Sequence, residues 1–362
     1  MFTQFAKKKT QDLSVFRVAV EKMAPYVPGE QPGPGQRLIK LNTNENPYPP
    51  SPQVRKRVAQ ALARGMLRLY PPARADALVE RASAVFGVSR RAILAGNGCD
   101  ELLGILFRAV LGRNDALAYP APSYSLYDTL AAIQEARVRR VAFLAHSEAT
   151  LAALKRARGK LTIVCNPNSP SGAFTPIEGL SRLARELYPR LLAIDEAYVD
   201  FAEDHGLRLL KRHDNVVILR SFSKSFSLAG ARLGLCFASP PTIEMLSKIK
   251  DSYNVSRLAL AAGLGALEDV AWMRRGVERI KRERERARQR LCAMGFEVAP
   301  SSANFVFARI PGRDLKPLGA ALRQKGILVR HFSSPELCDG LRITIGTRDE
   351  MAALYRALES LL

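Results

Sequence analysis

"LTIVCNPNSPSGAFTPIEGLSRLARELYPRLLAIDEAY", residues 161–198, decides the architecture. It opens on an apolar run, LTIVCN, and turns through Asn, Pro, Ser and Gly. The helical pattern PIEGLSRLARELY follows, and a second apolar run, LLAIDEAY, closes it. Strand, helix and strand in that order are a βα succession. The alternation continues outward, with DALAYP and RVRRVAFL upstream and VVILRS and RLGLCFAS downstream. The sequence therefore predicts an α/β fold whose mainly parallel sheet carries helices on both faces. After about residue 265 a charge-rich helical stretch leads into FEVAPSSANFVFARI, the helix LKPLGAALRQKG, then ILVRHF and LRITIGT, which reads as a smaller α+β domain. The first 45 residues hold PYVPGEQPGPGQ, rich in Pro and Gly, and read as an arm joining that domain. The expected division is an arm over 1–45, a large domain over 46–265 and a small one over 266–362.

With 362 residues, 47% of them hydrophobic, the chain can bury a large core. The longest apolar runs, LLGILF and LALAAGLGAL, are too short or too rich in small residues to cross a bilayer. MFTQFAKKKT lacks the apolar centre of a secretory signal, so a cytoplasmic protein is expected. Five scattered cysteines without a CxxC pair suggest neither a disulfide framework nor a zinc site. A net charge of +21 attracts anionic substrates and nucleic acid alike and does not choose between them. Much of that charge lies in RRGVERIKRERERARQR, residues 274–290. There Glu278, Glu283 and Glu285 interleave with arginines at helical spacing, the pattern of a solvated helix face.

In an open parallel sheet, ligands bind outside the carboxyl ends of the strands. Those ends are polar here: LTIVCN runs into PNSPSG, LLAI into Asp195, Glu196 and Tyr198, and VVILR into SFSK. Lys224, flanked by Phe222 and Phe226, would lose hydration, which lowers the pKa of an amine and makes it a nucleophile for a carbonyl. Upstream, ILAGNGCDELL places Gly96, Asn97 and Gly98 before a helix whose first turn holds Asp100 and Glu101, a start able to cradle a phosphate. An amine, a carboxylate at a buried strand end, a phenol and a phosphate cradle are together what pyridoxal phosphate demands.

The series LNTNENPYPPSP, RLYPPAR, GNGCDEL, PSYSLY, NPNSPSG, DEAYVDF, SFSKSFSLAGARLG, ANFVF, ILVRHF and LRITIGT resembles the motifs of the histidinol-phosphate aminotransferase family, within the fold type I aspartate aminotransferase superfamily. The resemblance implies pyridoxal 5'-phosphate as cofactor, with Lys224 forming the Schiff base and then moving the proton at the substrate Cα. It implies Asp195 on the pyridine nitrogen, Asn168 and Tyr198 on the ring oxygen, and Tyr124 against the ring face. The cofactor phosphate would lie on the amides of Gly98 and Cys99, the hydroxyls of Ser221 and Ser223, and Arg232. Tyr70 would reach the partner's phosphate in a homodimer. Arg342 and Arg330 would clamp the substrate anion, with Tyr26, Asn46 and Tyr253 as further pocket residues. The family commonly has NPNNPTG where this chain has NPNSPSG, and Ser or Ala where it has Cys99. An aromatic amino-acid aminotransferase and a threonine-phosphate decarboxylase share the scaffold. A nucleic-acid-binding protein, or a regulator that keeps an aminotransferase domain, is not expected, because the residues before Tyr26 are too few for a helix-turn-helix; salt-sensitive duplex binding would revive that reading.

Overall fold

The computed structural model describes residues 15–23, 25–26, 28–33, 35–143 and 148–362. MFTQFAKKKT and the last residue of RVRRVAFL lie outside the described residues. Seven strands form the larger sheet in the order Ile93–Gly96, Gly234–Ala238, Val216–Ser221, Leu191–Asp195, Leu161–Cys165, Ala116–Ala121, Arg137–Ala142. Every pairing is parallel except those of Gly234–Ala238, which runs antiparallel to both neighbours. The opening stretch supplies two adjacent central strands, with Cys165 opposite Asp195.

Side chains alternate across this sheet, and each face has its own apolar layer. Val164, Ile194 and Ile218 pack with Leu180, Leu183 and Leu187 of the helix Ile177–Leu187. Ile163, Ala193, Val217 and Leu219 pack with Leu102, Leu103, Leu106 and Phe107 of the helix Cys99–Val110. The 177–187 helix repeats its apolar residues every three or four positions, and burying each leucine contributes roughly 1.5–3 kcal/mol. Ile93–Gly96 is a strand the sequence reading passed over, because ILAG is short and runs directly into the glycines of the helix start.

The second sheet has five strands in the order Ile39–Leu41, Ile327–His331, Gly340–Thr344, Phe305–Arg309, Glu297–Val298. Its first strand comes from the N-terminal segment and pairs in parallel, Ile39 opposite Ile327 and Leu41 opposite Val329. The helix Val270–Ala293 lays Val277, Ile280, Ala287 and Leu291 on the core of this sheet. One expectation fails there. Glu283 is buried rather than solvated, since it falls on the inward side of that helix, and it pairs with Arg286 at 3.3 Å. Glu278 and Glu285 remain on the outer side as expected, paired with Lys281 and Arg288.

Candidate active site

A cavity of about 830 Å³ lies between the two sheets. One wall is made by the last residues of four strands of the larger sheet, Ala121, Cys165, Asp195 and Ser221, and the other by residues 42–45 with Arg330 and Arg342. That location follows from topology, because a parallel sheet gathers the loops after its strands at one edge.

Lys224 sits three residues beyond the strand Val216–Ser221 and lines the cavity. Its Nζ donates to the Thr43 carbonyl at 3.0 Å and stands 5.8 Å over the Tyr198 ring. Burial, then the positive charge of Arg342, brings the amine from 10.5 down to about 8. A lysine in that range carries a usable neutral fraction near neutrality.

Asp195 ends its strand almost fully buried. Tyr127 donates its hydroxyl to Oδ2 at 2.7 Å, and the Ala197 amide donates to Oδ1 at 3.2 Å. Burial outweighs both hydrogen bonds and lifts the carboxyl from 3.8 to about 6. Tyr198 accepts a hydrogen bond from Asn44 Nδ2 at 3.0 Å, meets Phe305 edge to face, and is pushed up to about 12, chiefly by burial.

The residues expected around a phosphate lie near one another, although the Gly98 amide already donates to the Gly96 carbonyl at 2.9 Å. Gly98, at φ +85°, precedes the helix Cys99–Val110, and no side chain caps that start. That positive φ is a conformation L side chains rarely adopt, which favours glycine; a Cβ there would also stand 2.7 Å from Arg232 Nη2 and push that side chain aside. Uncapped amides of the first turn are the groups an anion takes. Arg232 pairs with Asp100 at 3.0 Å and reaches Ser223 Oγ at 3.5 Å, while Ser221 Oγ accepts from the Ser223 amide at 3.0 Å. Tyr124 lines the cavity, reaching Asp100 with its hydroxyl at 3.2 Å and meeting Tyr26 and Tyr127 edge to face.

Two guanidiniums face these groups. Arg342 donates to Ser169 Oγ at 3.0 Å and to the Asn42 carbonyl at 2.9 Å, and its buried Nε has no partner among the described residues. Arg330 lies next to it across the sheet, its guanidinium 5.6 Å from the Phe332 ring centroid. Burial, more than any neighbouring charge, lowers the pKa of Arg342.

Three residues expected in this chain's pocket, Asn46, Asn168 and Tyr253, stand outside its lining, and Tyr70, expected at a partner's site, lies beside Tyr253. Asn46 does not line the cavity; its Nδ2 donates to the carbonyls of Lys224 and Ser225 at 3.0 and 3.2 Å, bracing the lysine loop from behind. Asn168 is buried beside the cavity, with Nδ2 donating to Pro122 O and Ser171 Oγ and Oδ1 accepting from Ser123, so its donors are already engaged. Tyr70 and Tyr253 stack on one another at 4.6 Å, exposed and away from this chain's cavity lining. Tyr127 and Asn44 were missed, although both stood in quoted motifs. Tyr127 follows Tyr124 by three residues in PSYSLY, the spacing of one helix face.

A low-pKa lysine, a buried acid and a glycine anion cradle at the edge of a parallel sheet define a site for group transfer through an aldehyde cofactor. The chain belongs to the aminotransferase class I and II family, whose sequence model matches residues 36–358. It is 46% identical to the histidinol-phosphate aminotransferase of Citrifermentans bemidjiense, over 95% of this chain and 98% of that protein. It is 45% identical to the protein of the same name from Geobacter sulfurreducens, over 96% and 99%. Among solved structures, histidinol-phosphate aminotransferase from Sinorhizobium meliloti in complex with pyridoxal-5'-phosphate superposes with a TM-score of 0.87. It shares 27% identity and covers 96% of this chain and 99% of its own.

Proposed function

We propose that this aminotransferase exchanges the amino group of L-histidinol phosphate with 2-oxoglutarate, using pyridoxal 5'-phosphate, as a step of histidine biosynthesis in the cytoplasm. The observation that carries the reading is the meeting in one cavity of Lys224, Asp195 and, from the helix start that follows Gly98, Cys99 with Arg232. These residues fit the cofactor: the Gly98 turn and Arg232 suit its phosphate, Asp195 its pyridine nitrogen and Lys224 its aldehyde. When bound, pyridoxal phosphate supplies an electron sink for the bond broken at the substrate Cα. Lys224 is the group that takes and returns the proton at that carbon, which a pKa of about 8 suits. Asp195 keeps a proton on the ring nitrogen by offering it a negative charge.

Arg342 and Arg330 serve the substrate anion. A planar guanidinium accepts either carboxylate or phosphate oxygens, so one clamp serves histidinol phosphate in one half-reaction and glutamate in the other. Both line the cavity and sit opposite one another on adjacent strands, which supports this. The proposed unit is a homodimer in which Tyr70 reaches the partner's site. Leu67, Leu69, Tyr70 and Tyr253 are all exposed, an apolar group that a second subunit would cover. Within it, residues 1–45 form the arm, 46–265 the cofactor domain and 266–362 the small domain. Among the described residues, no helix is long and apolar enough to cross a membrane.

The test is kcat/KM for histidinol phosphate, histidinol, phenylalanine and threonine phosphate, with and without Arg330→Ala. Histidinol phosphate should lead histidinol by orders of magnitude, since a buried cation without its partner is costly, and Arg330→Ala should narrow that lead. A preference for phenylalanine makes the protein an aromatic aminotransferase. Carbon dioxide release from threonine phosphate makes it a decarboxylase.

A further inference from the structure

Three consecutive residues each hold one working group of the site. Arg342 Nη2 donates to the Asn42 carbonyl at 2.9 Å, Lys224 Nζ donates to the Thr43 carbonyl at 3.0 Å, and Asn44 Nδ2 donates to the Tyr198 hydroxyl at 3.0 Å. Asn44 is itself locked. It is buried, its backbone is left-handed at φ +56°, and its carbonyl accepts from Asn304 Nδ2 at 3.0 Å. Its amide N–H donates to Thr344 Oγ1 at 3.0 Å, and the Thr344 hydroxyl donates back to Asn44 Oδ1 at 3.0 Å. With Oδ1 accepting from that hydroxyl, the side-chain amide presents its NH₂ to Tyr198.

The polarity of that last bond has a consequence. A phenol that accepts from an amide keeps its own proton to donate elsewhere. Among the described residues no acceptor receives the Tyr198 proton. The ring has Phe305 against it on one side and the Lys224 ammonium 5.8 Å away on another, with Arg342, Asp195, Cys165 and Tyr124 as further titratable neighbours. The cavity, which Tyr198 lines, is the direction left.

We propose that Asn44 is a positioning residue that aims the Tyr198 proton at the ring oxygen of the bound cofactor. This rests on the pyridoxal phosphate reading given above. Thr344, which fixes Asn44, lies two residues from Arg342 on the same face of the strand Gly340–Thr344. The strand that carries the anion clamp therefore also sets the phenol.

A donor on the ring oxygen draws negative charge away from the neighbouring imine nitrogen and eases loss of its proton. Asn44→Asp is nearly isosteric and reverses the bond, because a carboxylate accepts the phenolic proton. The pH midpoint of the bound cofactor's visible absorbance change should then rise by roughly one unit, the scale of one charge-assisted hydrogen bond. Tyr198→Phe should produce the same rise, and the double variant no more than Tyr198→Phe alone, because the two act through one bond. Affinity of the cofactor-free protein for pyridoxal phosphate should fall several-fold in all three. If Asn44→Asp does not fold, Thr344→Val carries the test, since it frees the amide to turn and should raise the midpoint by a smaller amount. A wild type that binds cofactor, with an Asn44→Asp or Thr344→Val midpoint equal to its own, overturns the inference alone. A wild type that takes up no pyridoxal phosphate overturns the functional reading and this inference with it.

Discussion

Replacing Asp195 by Asn should make the cofactor-free protein more stable at pH 8 while crippling its chemistry. The carboxyl is 3% exposed, and its pKa stands near 6 in the fold against 3.8 for the free side chain. A folded-state pKa above the unfolded one means the folded chain binds more protons between those two values. The carboxyl's favourable contribution is therefore full below pH 3.8 and is lost as pH rises through 6. A shift of about two units corresponds to about 3 kcal/mol of strain on the ionised fold. Asparagine carries no charge and still accepts from Tyr127 through its oxygen, so the variant escapes most of that cost. Denaturant unfolding of both cofactor-free proteins should show the variant gaining on wild type between pH 4 and pH 8, by an amount approaching that figure. Groups common to both proteins cancel in the difference. A stability difference that stays flat across that window would refute the claim that burial dominates at Asp195. In the same preparation, single-turnover measurements should show the half-reaction slowed by orders of magnitude, because an amide cannot offset a pyridinium charge.

Two further outcomes are expected. Lys224→Ala should abolish turnover, and borohydride reduction of the loaded wild type followed by peptide mapping should label Lys224; a label on another lysine displaces it from the central role. Sedimentation should find a dimer at assay concentration, and Tyr70→Phe should weaken cofactor retention more than it changes the dimer; a fully active monomer sinks the shared site.

The alternation of apolar runs with helical patterns, and hence the larger sheet, is a local property of the chain. So are the strand-end positions of Asp195 and Lys224, because a parallel sheet turns the end of a strand into the edge of a ligand site. Gly98 was legible only in company, since a glycine-rich turn before a helix is a weak signal alone and gained weight from the lysine and carboxylate at neighbouring strand ends. What the tertiary structure alone decided are pairings between distant segments. Asn44 and Thr344 are 300 residues apart, and nothing in the periodicity of either stretch says that one hydroxyl will orient the other's amide. Asn46 and Asn168 have the right chemistry for the pocket, but nearer partners, the lysine loop and Ser123 with Ser171, claim their side chains. Glu283 sits in a run of alternating charge that reads as solvated, and only the packing of its helix on the second sheet puts it inside. Sequence pattern fixes which residues can face inward, whereas the partner each polar group takes depends on which of several close candidates the packed fold brings within three ångströms.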